Sequence, residues 1–541
     1  MGSGRPVFIW DCWRGFSCRV DVLPAEYWVR GKRFDYRLRR CTEDVRDGSD
    51  TGNFGVCSVK NKGKDGSNMA RNYELVVIGA GPGGYTAALK AAGLGMKVAV
   101  VDQERLGGVC VNRGCIPTKA LLHASNIFSM MQHCDEFGVS TDFISFDFKK
   151  MQEYKKRSVR LYRQGIEKLF AENHIDFIKG TATIRREKTV EVTGEEGKEY
   201  LHADYIIIAT GASPVIPDIP GIDLPGVSNS DRLLASQNWN FDRVVIIGGG
   251  VIGVEFATIF QALCSKVTIV EMGPHLLGPM DTEVALALED QLRDKGITIH
   301  CNSTIEEITE EDGLNCRIQN HRTGEVSRIR ASQVVVAVGR KPYMNRLIGE
   351  DVSLEIRNGR LSVDADFMTS EMHIYAIGDV VSKTQLAHVA MAQGTYVVEK
   401  IAGRTHSIRL EAVPNGMYVS LPIVPNCIYT VPEIATVGIT EQTANTLGMK
   451  VRCGMYDMND NGKSIITHRE KGFIRLIFEA YSNTIVGAQI VCPRATDMIG
   501  EMATAIANGL TAEQLSRAMR AHPTYSEGIA AAIEDAMREK G

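Results

Sequence analysis

Residues 75–102 recur 169 positions later as residues 244–271, without a gap and with ten of the 28 positions identical. Each copy reads as an apolar strand, a glycine turn, a helix and a second strand. The turns are Gly79-Ala-Gly-Pro-Gly-Gly84 and Gly248-Gly-Gly-Val-Ile-Gly253. The first glycine (Gly79, Gly248) makes the tight turn. The second (Gly81, Gly250) lets backbone N–H groups approach a pyrophosphate, and the third (Gly84, Gly253) lets helix and strand pack closely. The helix N-terminus then faces the anion. Both copies end in an acid 23 residues after the first glycine, Asp102 or Glu271, which can accept hydrogen bonds from ribose hydroxyls. One such fingerprint is a weak signal. Two in register, in the same strand–turn–helix–strand context, predict two dinucleotide-binding units in one chain. Glu271 would repel a 2′-phosphate, and residues 272–275 supply no arginine, so the second unit reads as built for NAD rather than NADP.

The rest of the chain continues the alternation. Runs at 205–208, 334–338 and 374–377 read as buried strands, and after about residue 413 runs at 473–478 and 484–491 precede Ala-rich helices. That last stretch reads as a separate α+β domain. Residues 1–68 differ: they hold three of the four tryptophans, carry a net charge of +4 against −8 elsewhere, and show no strand or helix period. Met69 is expected to be the natural start, with 1–68 an extension. No apolar run reaches the ~18 residues of a membrane span, and no signal peptide is evident. A net charge of −4 gives no basic field for nucleic acid. The expectation is a cytoplasmic protein with neither membrane nor nucleic-acid partners.

Cys110 and Cys115 lie in Gly107-Gly-Val-Cys-Val-Asn-Arg-Gly-Cys-Ile-Pro-Thr-Lys119. Five residues of ideal helix rise ~7.5 Å, beyond the ~6.8 Å usual between disulfide Cα atoms. A bridge therefore needs a broken helix, which Gly107, Gly108 and Gly114 permit; two separate thiols are the alternative. Cys134, Cys264, Cys301, Cys316, Cys427, Cys453 and Cys492 show no pairing pattern, and buried thiols are the default. No metal site is read.

Further motifs are Ala209-Thr-Gly211, Val338-Gly-Arg340, Tyr375-Ala-Ile-Gly-Asp379, Leu386-Ala-His388 and His522-Pro-Thr-Tyr-Ser-Glu527. With the fingerprints and the cysteine motif, they span 73–530. On these residues the chain resembles the flavoprotein disulfide reductases (class I pyridine nucleotide-disulfide oxidoreductases), most of all those that oxidise dihydrolipoamide. The resemblance implies an α/β fold: two Rossmann-like dinucleotide-binding domains plus a C-terminal α+β dimerisation domain. The implied boundaries are 69–212 (FAD-binding), 213–340 (NAD-binding), 341–413 (central, completing the FAD site) and 414–541 (interface).

It also implies roles. FAD is held by the first fingerprint, Asp102, Thr210, Gly211, Gly378, Asp379 and Ala387. Lys119 sits beside the flavin and pairs with Glu255. NAD is held by the second fingerprint and Glu271, with Gly339 near the nicotinamide. Cys110 is the outer, interchange thiol, and Cys115 is the inner thiol against the flavin. His522 is the base and Glu527 orients it, since thiols react as thiolates and need a base near neutrality. The implied assembly is a homodimer in which His522 meets the cysteines of the partner subunit. The implied substrate partner is a lipoyl-bearing carrier protein of a 2-oxoacid dehydrogenase or glycine cleavage complex. NADH-dependent reduction of another small or protein disulfide is the second reading, and a non-catalytic NADH-binding flavoprotein the third. Arg113, Arg520 and Tyr525 depart from the usual valine, histidine and leucine, which bears on the substrate channel.

Overall fold

The computed structural model describes residues 71–407, 411–412, 419–420, 423–468 and 471–538. The expectation for residues 1–68 lies outside them.

Strand β1 (Arg71–Ile78), helix α1 (Pro82–Gly93) and strand β2 (Val98–Asp102) form the first repeat. β1 lies between β2 and the long strand Gly197–Ile208, parallel to both. Asp176–Lys179 and Ile374–Ala376 join as further parallel strands, and two antiparallel strands, Thr189–Gly194 and Thr181–Arg185, complete the seven-stranded sheet. Leu75, Val76 and Val77 are fully buried. Burial of each such aliphatic contributes ~1.5–3 kcal/mol, so this strand anchors its sheet. α1 packs on the helix Ala387–Ile401 so closely that a Cβ on Gly394 would stand 2.7 Å from the Gly83 carbonyl oxygen.

The second repeat builds an independent five-stranded parallel sheet, ordered Thr298–His300, Lys266–Val270, Arg243–Ile247, Gln333–Val336 and Val227–Asn229. The pairing register is the same in both units: Leu75 faces Val98, and Val244 faces Val267, each 23 residues on. The strand expected at 334–338 is shifted to Gln333–Val336, because the chain turns outward toward Gly339. A three-stranded antiparallel sheet, Ser303–Glu310, Leu314–Asn320 and Val326–Ala331, inserts between the parallel strands.

The C-terminal region is a five-stranded antiparallel sheet, Asn426–Ile428, Ile434–Gly438, Ile485–Val491, Phe473–Glu479 and Val451–Asp457, covered by helices Ala495–Ala507 and Glu527–Met537. The fold is thus α/β with an α+β C-terminal region. No described helix is long and apolar enough to cross a membrane. The default of buried thiols fails for Cys264, which is exposed at a helix end and accepts from Gln132 Nε2 at 3.1 Å. Cys316 and Cys492 are buried, and Cys134, Cys301 and Cys427 are partly exposed.

Candidate active site

The two glycine turns share their local geometry. Gly79 and Gly248 have φ of +105° and +101°, a region open to glycine. A Cβ on Gly84 would lie 1.8 Å from the Gly79 carbonyl oxygen, and one on Gly253 2.0 Å from that of Gly248. The second glycines, Gly81 and Gly250, cap their helices with extended backbone and no side chain over the helix end. The first-turn N–H groups are therefore left for an anion. Ala80 N donates to Asp102 Oδ2 at 2.7 Å, as Gly249 N donates to Glu271 Oε2 at 2.6 Å. Glu271 Oε1 also accepts from Gly273 N at 2.7 Å, so both oxygens are held by backbone. Burial pushes the Asp102 carboxyl above its ordinary pKa, against the pull of the Ala80 and Glu104 N–H groups.

Beside Asp102 a small cavity is lined by Gly79, Gln103, Ala182, Thr210 and Tyr343. Thr210 Oγ1 donates to the Tyr343 carbonyl at 2.6 Å, and Gly211 follows in a left-handed turn. Gly378 N donates to Gln393 Oε1 at 2.7 Å. Burial also raises the pKa of Asp379, opposed by the nearby Arg340 and Arg360. Ala387 is the first residue of a 15-residue helix with no side-chain cap. Gly339 turns at φ +109° between the second sheet and the strand Arg340–Pro342. Both turns leave bare helix N-termini next to an acid held by backbone N–H groups, a cradle that fits the pyrophosphate and ribose of a dinucleotide such as FAD or NAD.

The cysteines sit on the first turn. Helix α2 (Gly108–Arg113) starts against it: a Cβ on Gly108 would be 2.5 Å from Gly81 Cα, and Gly107 N donates to the Ala80 carbonyl at 2.9 Å. Gly114 breaks the helix, and α3 (Cys115–Gln132) begins on the far side. That break brings the Cα atoms of Cys110 and Cys115 to 4.6 Å, and the two sulfurs are bonded. Of the alternatives left open by the spacing, the bridge is the one formed.

One helical turn beyond Cys115, Lys119 Nζ lies 2.7 Å from both carboxylate oxygens of the buried Glu255. The ammonium also stands 4.6 Å from the Tyr429 ring centroid, and Tyr429 N donates to Glu255. Tyr429, Tyr343 and Gln393 carry no motif that sequence reasoning could have used.

His522 lies in the loop before helix Glu527–Met537. Its Nδ1 is 2.8 Å from Glu527 Oε1, while Glu527 Oε2 accepts from Thr524 N at 2.7 Å. The Thr524 N–H first, then His522, hold the Glu527 carboxyl below its ordinary pKa. The loop is braced by Asn461 Nδ2 on the Thr524 carbonyl and by Tyr525 with Thr467. The imidazole is 78% exposed. Among the described residues no hydrogen bond or ion pair joins it to Cys110 or Cys115. One chain thus brings together the disulfide, Lys119, Glu255 and the first turn, and separately His522 and Glu527. Among the described residues no cluster of three or more His, Cys, Asp or Glu could hold a metal.

Residues 73–394 match the family model of the pyridine nucleotide-disulphide oxidoreductases, and residues 424–533 match that family's dimerisation domain. The chain belongs to this family. Dihydrolipoyl dehydrogenase of Bacillus subtilis is 34% identical over 466 residues, covering 85% of this chain and 97% of that protein. The dihydrolipoyl dehydrogenase of Geobacillus stearothermophilus is 36% identical over 477 residues, covering 87% and 97%. Among solved structures, the HOCl-induced flavoprotein disulfide reductase RclA from Escherichia coli, as its Cu(II) complex, matches with a TM-score of 0.74 at 27% identity. That match covers 86% of this chain and 99% of RclA.

Proposed function

We propose that the chain is a dihydrolipoyl dehydrogenase, binding FAD at the first turn and NAD at the second and working as a homodimer. The observation that carries this reading is the Cys110–Cys115 disulfide seated on the first glycine turn, with the Lys119–Glu255 pair one turn further along α3. Identity of 34–36% to dihydrolipoyl dehydrogenases over nearly their full length supports it.

A substrate thiolate attacks Cys110 Sγ, and the Cys110–Cys115 bond breaks with its electron pair on Cys115. The second substrate thiol then loses its proton to His522 Nε2 and closes the substrate disulfide, releasing Cys110. Glu527 suits this role, because an ionised carboxylate on Nδ1 fixes the tautomer and stabilises the imidazolium. His522, exposed in its own chain, is read as serving the disulfide of the partner subunit. When bound, FAD supplies the two-electron relay from the cysteine pair to NAD⁺. The sum is dithiol plus NAD⁺ giving disulfide, NADH and one proton. Lys119 offers a positive charge beside that relay, where negative charge accumulates on reduction.

The lipoyl group is read as carried by a separate protein of a 2-oxoacid dehydrogenase or glycine cleavage complex. The fitting compartment is the cytoplasm, whose reducing pool keeps thiols such as the exposed Cys264 unbridged. A dihydrolipoamide:NAD⁺ assay on purified protein tests the reading. Turnover is expected. NADH oxidation with other disulfides but not lipoamide would move the assignment to the second reading. Flavin binding with no turnover at all would move it to the third.

A further inference from the structure

Helix α2 has only six residues and carries Cys110, whereas Cys115 opens α3. A helix that short has no stability of its own, so its ties decide where Cys110 stands once the disulfide is open. Asn112 Nδ2 ties it internally, to the Leu106 and Gly108 carbonyls. Asn112 Oδ1 also accepts from Arg163 Nη1 of the helix Phe148–Glu172 at 3.3 Å. A third tie reaches out of the unit. Arg113 Nε donates to Asp231 Oδ2 at 2.9 Å, and its Nη1 pairs with Glu104. Asp231 Oδ1 accepts from Arg340 Nη1 at 2.9 Å, and Arg340 Nη2 donates to the Ala212 carbonyl at 2.7 Å. Glu104 N in turn donates to Asp102 Oδ1 at 2.8 Å.

One guanidinium from between the two cysteines therefore joins two segments directly, the Asp102 loop through Glu104 and the helix Ser230–Ala235 of the second unit through Asp231, and Asp231 carries the link on to Arg340 and the Ala212 carbonyl. Arg113 ends α2 and Asp231 opens its own helix, so both charges also suit the helix dipoles. Asp231 and Arg340 are largely buried and Arg113 is about one-third exposed, which makes this network less screened than a surface pair.

We propose that Arg113 is a positioning residue of the redox centre: through Asp231 it holds α2 against the second nucleotide-binding unit and keeps Cys110 within bonding reach of Cys115. This rests on Cys110–Cys115 being the redox pair. A pinned pair of thiols has a high effective concentration, which favours the disulfide. Releasing α2 therefore favours the dithiol and raises the potential of the couple.

The test uses the flavin-loaded full chain as wild type, Asp231→Asn, Arg113→Leu and the double variant. Each is equilibrated in dithiothreitol buffers of graded ratio, and the thiols at 110 and 115 are trapped and counted by mass spectrometry. Each single variant should shift the equilibrium about tenfold toward dithiol, equivalent to ~30 mV for a two-electron couple. The double variant should shift clearly less than the sum of the two singles, because both remove the Arg113–Asp231 link, while Arg113→Leu also frees Glu104 and Asp231→Asn also frees Arg340. Asp231→Asn preserves shape and decides the matter alone should Arg113→Leu fail to fold. A wild-type potential in Asp231→Asn, or additive shifts in the double variant, overturns the proposal. Separately, a wild-type pair that NADH cannot reduce sinks the redox reading, while the dithiothreitol equilibrium still judges the tie.

Discussion

Alanine at Gly250 and at Gly253 should separate nucleotide binding from folding. Gly250 has φ −72° and ψ −176°, extended backbone that any residue adopts, and a Cβ there meets no atom within 4 Å. The protein should therefore fold as before. The new methyl, however, stands at the bare helix N-terminus, where the pyrophosphate must approach the backbone N–H groups. Intrusion of one methyl into a close contact costs ~1–3 kcal/mol, which is roughly a 5- to 150-fold loss of NADH affinity at ~1.4 kcal/mol per decade. At Gly253 the same methyl would lie 2.0 Å from the Gly248 carbonyl oxygen, so the helix must move off its strand. That variant should lose melting temperature as well as NADH binding. Flavin absorbance, melting temperature and NADH affinity by rapid-reaction titration report the three quantities. Gly250→Ala should keep the first two and lose the third, and Gly84→Ala, the twin of Gly253→Ala, should lose flavin. Wild-type NADH affinity in Gly250→Ala would refute the reasoning that this turn cradles the nucleotide.

His522→Gln should lower dithiol oxidation by about 10²–10⁴-fold and leave the flavin spectrum and NADH binding intact; loss of flavin would contradict the separation of the two clusters. Cofactor preference should favour NAD over NADP by at least ~100-fold in kcat/KM, about 2.7 kcal/mol, because both Glu271 oxygens are fixed in place by Gly249 and Gly273; comparable values would overturn it. Burial raises the folded-state pKa of Asp379, so its stabilising contribution is full below the unfolded value and is lost as pH rises through the folded one. Asp379→Asn should thus raise the melting temperature of flavin-free protein near neutrality, with the gain shrinking as pH falls toward ~4. Co-expression of Cys115→Ser with His522→Gln should restore partial activity if each site draws on both chains, and none if each is built from one.

What the sequence shows of this site follows from how local the chemistry is. The glycine turns and the acids that close them depend on residues within about 25 positions, so their spacing announces them, whereas the five-residue cysteine interval left two separate thiols open and only the surrounding motif pointed to a bridge. The register of 23 residues in both sheets is the same regularity seen in three dimensions. The helix Phe148–Glu172 escapes notice because most of its surface is polar and exposed. The insertion 303–331 escapes because its strands alternate mildly around a single buried face. Arg113 was visible only as a departure from a usual valine; its meaning depends on Asp231, 118 positions away in the other unit.

The same reasoning explains why His522 and Glu527 look incomplete in one chain. Their mutual geometry is local, five residues apart and already formed at 2.8 Å. The disulfide they are proposed to serve is more than 400 residues away in sequence, and the ring is exposed to solvent. The imidazole is held by Glu527, whose other oxygen is held by the Thr524 N–H, an orientation that suits a base meeting a group docked against it. The family's dimerisation domain covers this very loop, at 424–533. Closed two-fold assembly presents the same surface twice, so a dimer that completes one site completes both.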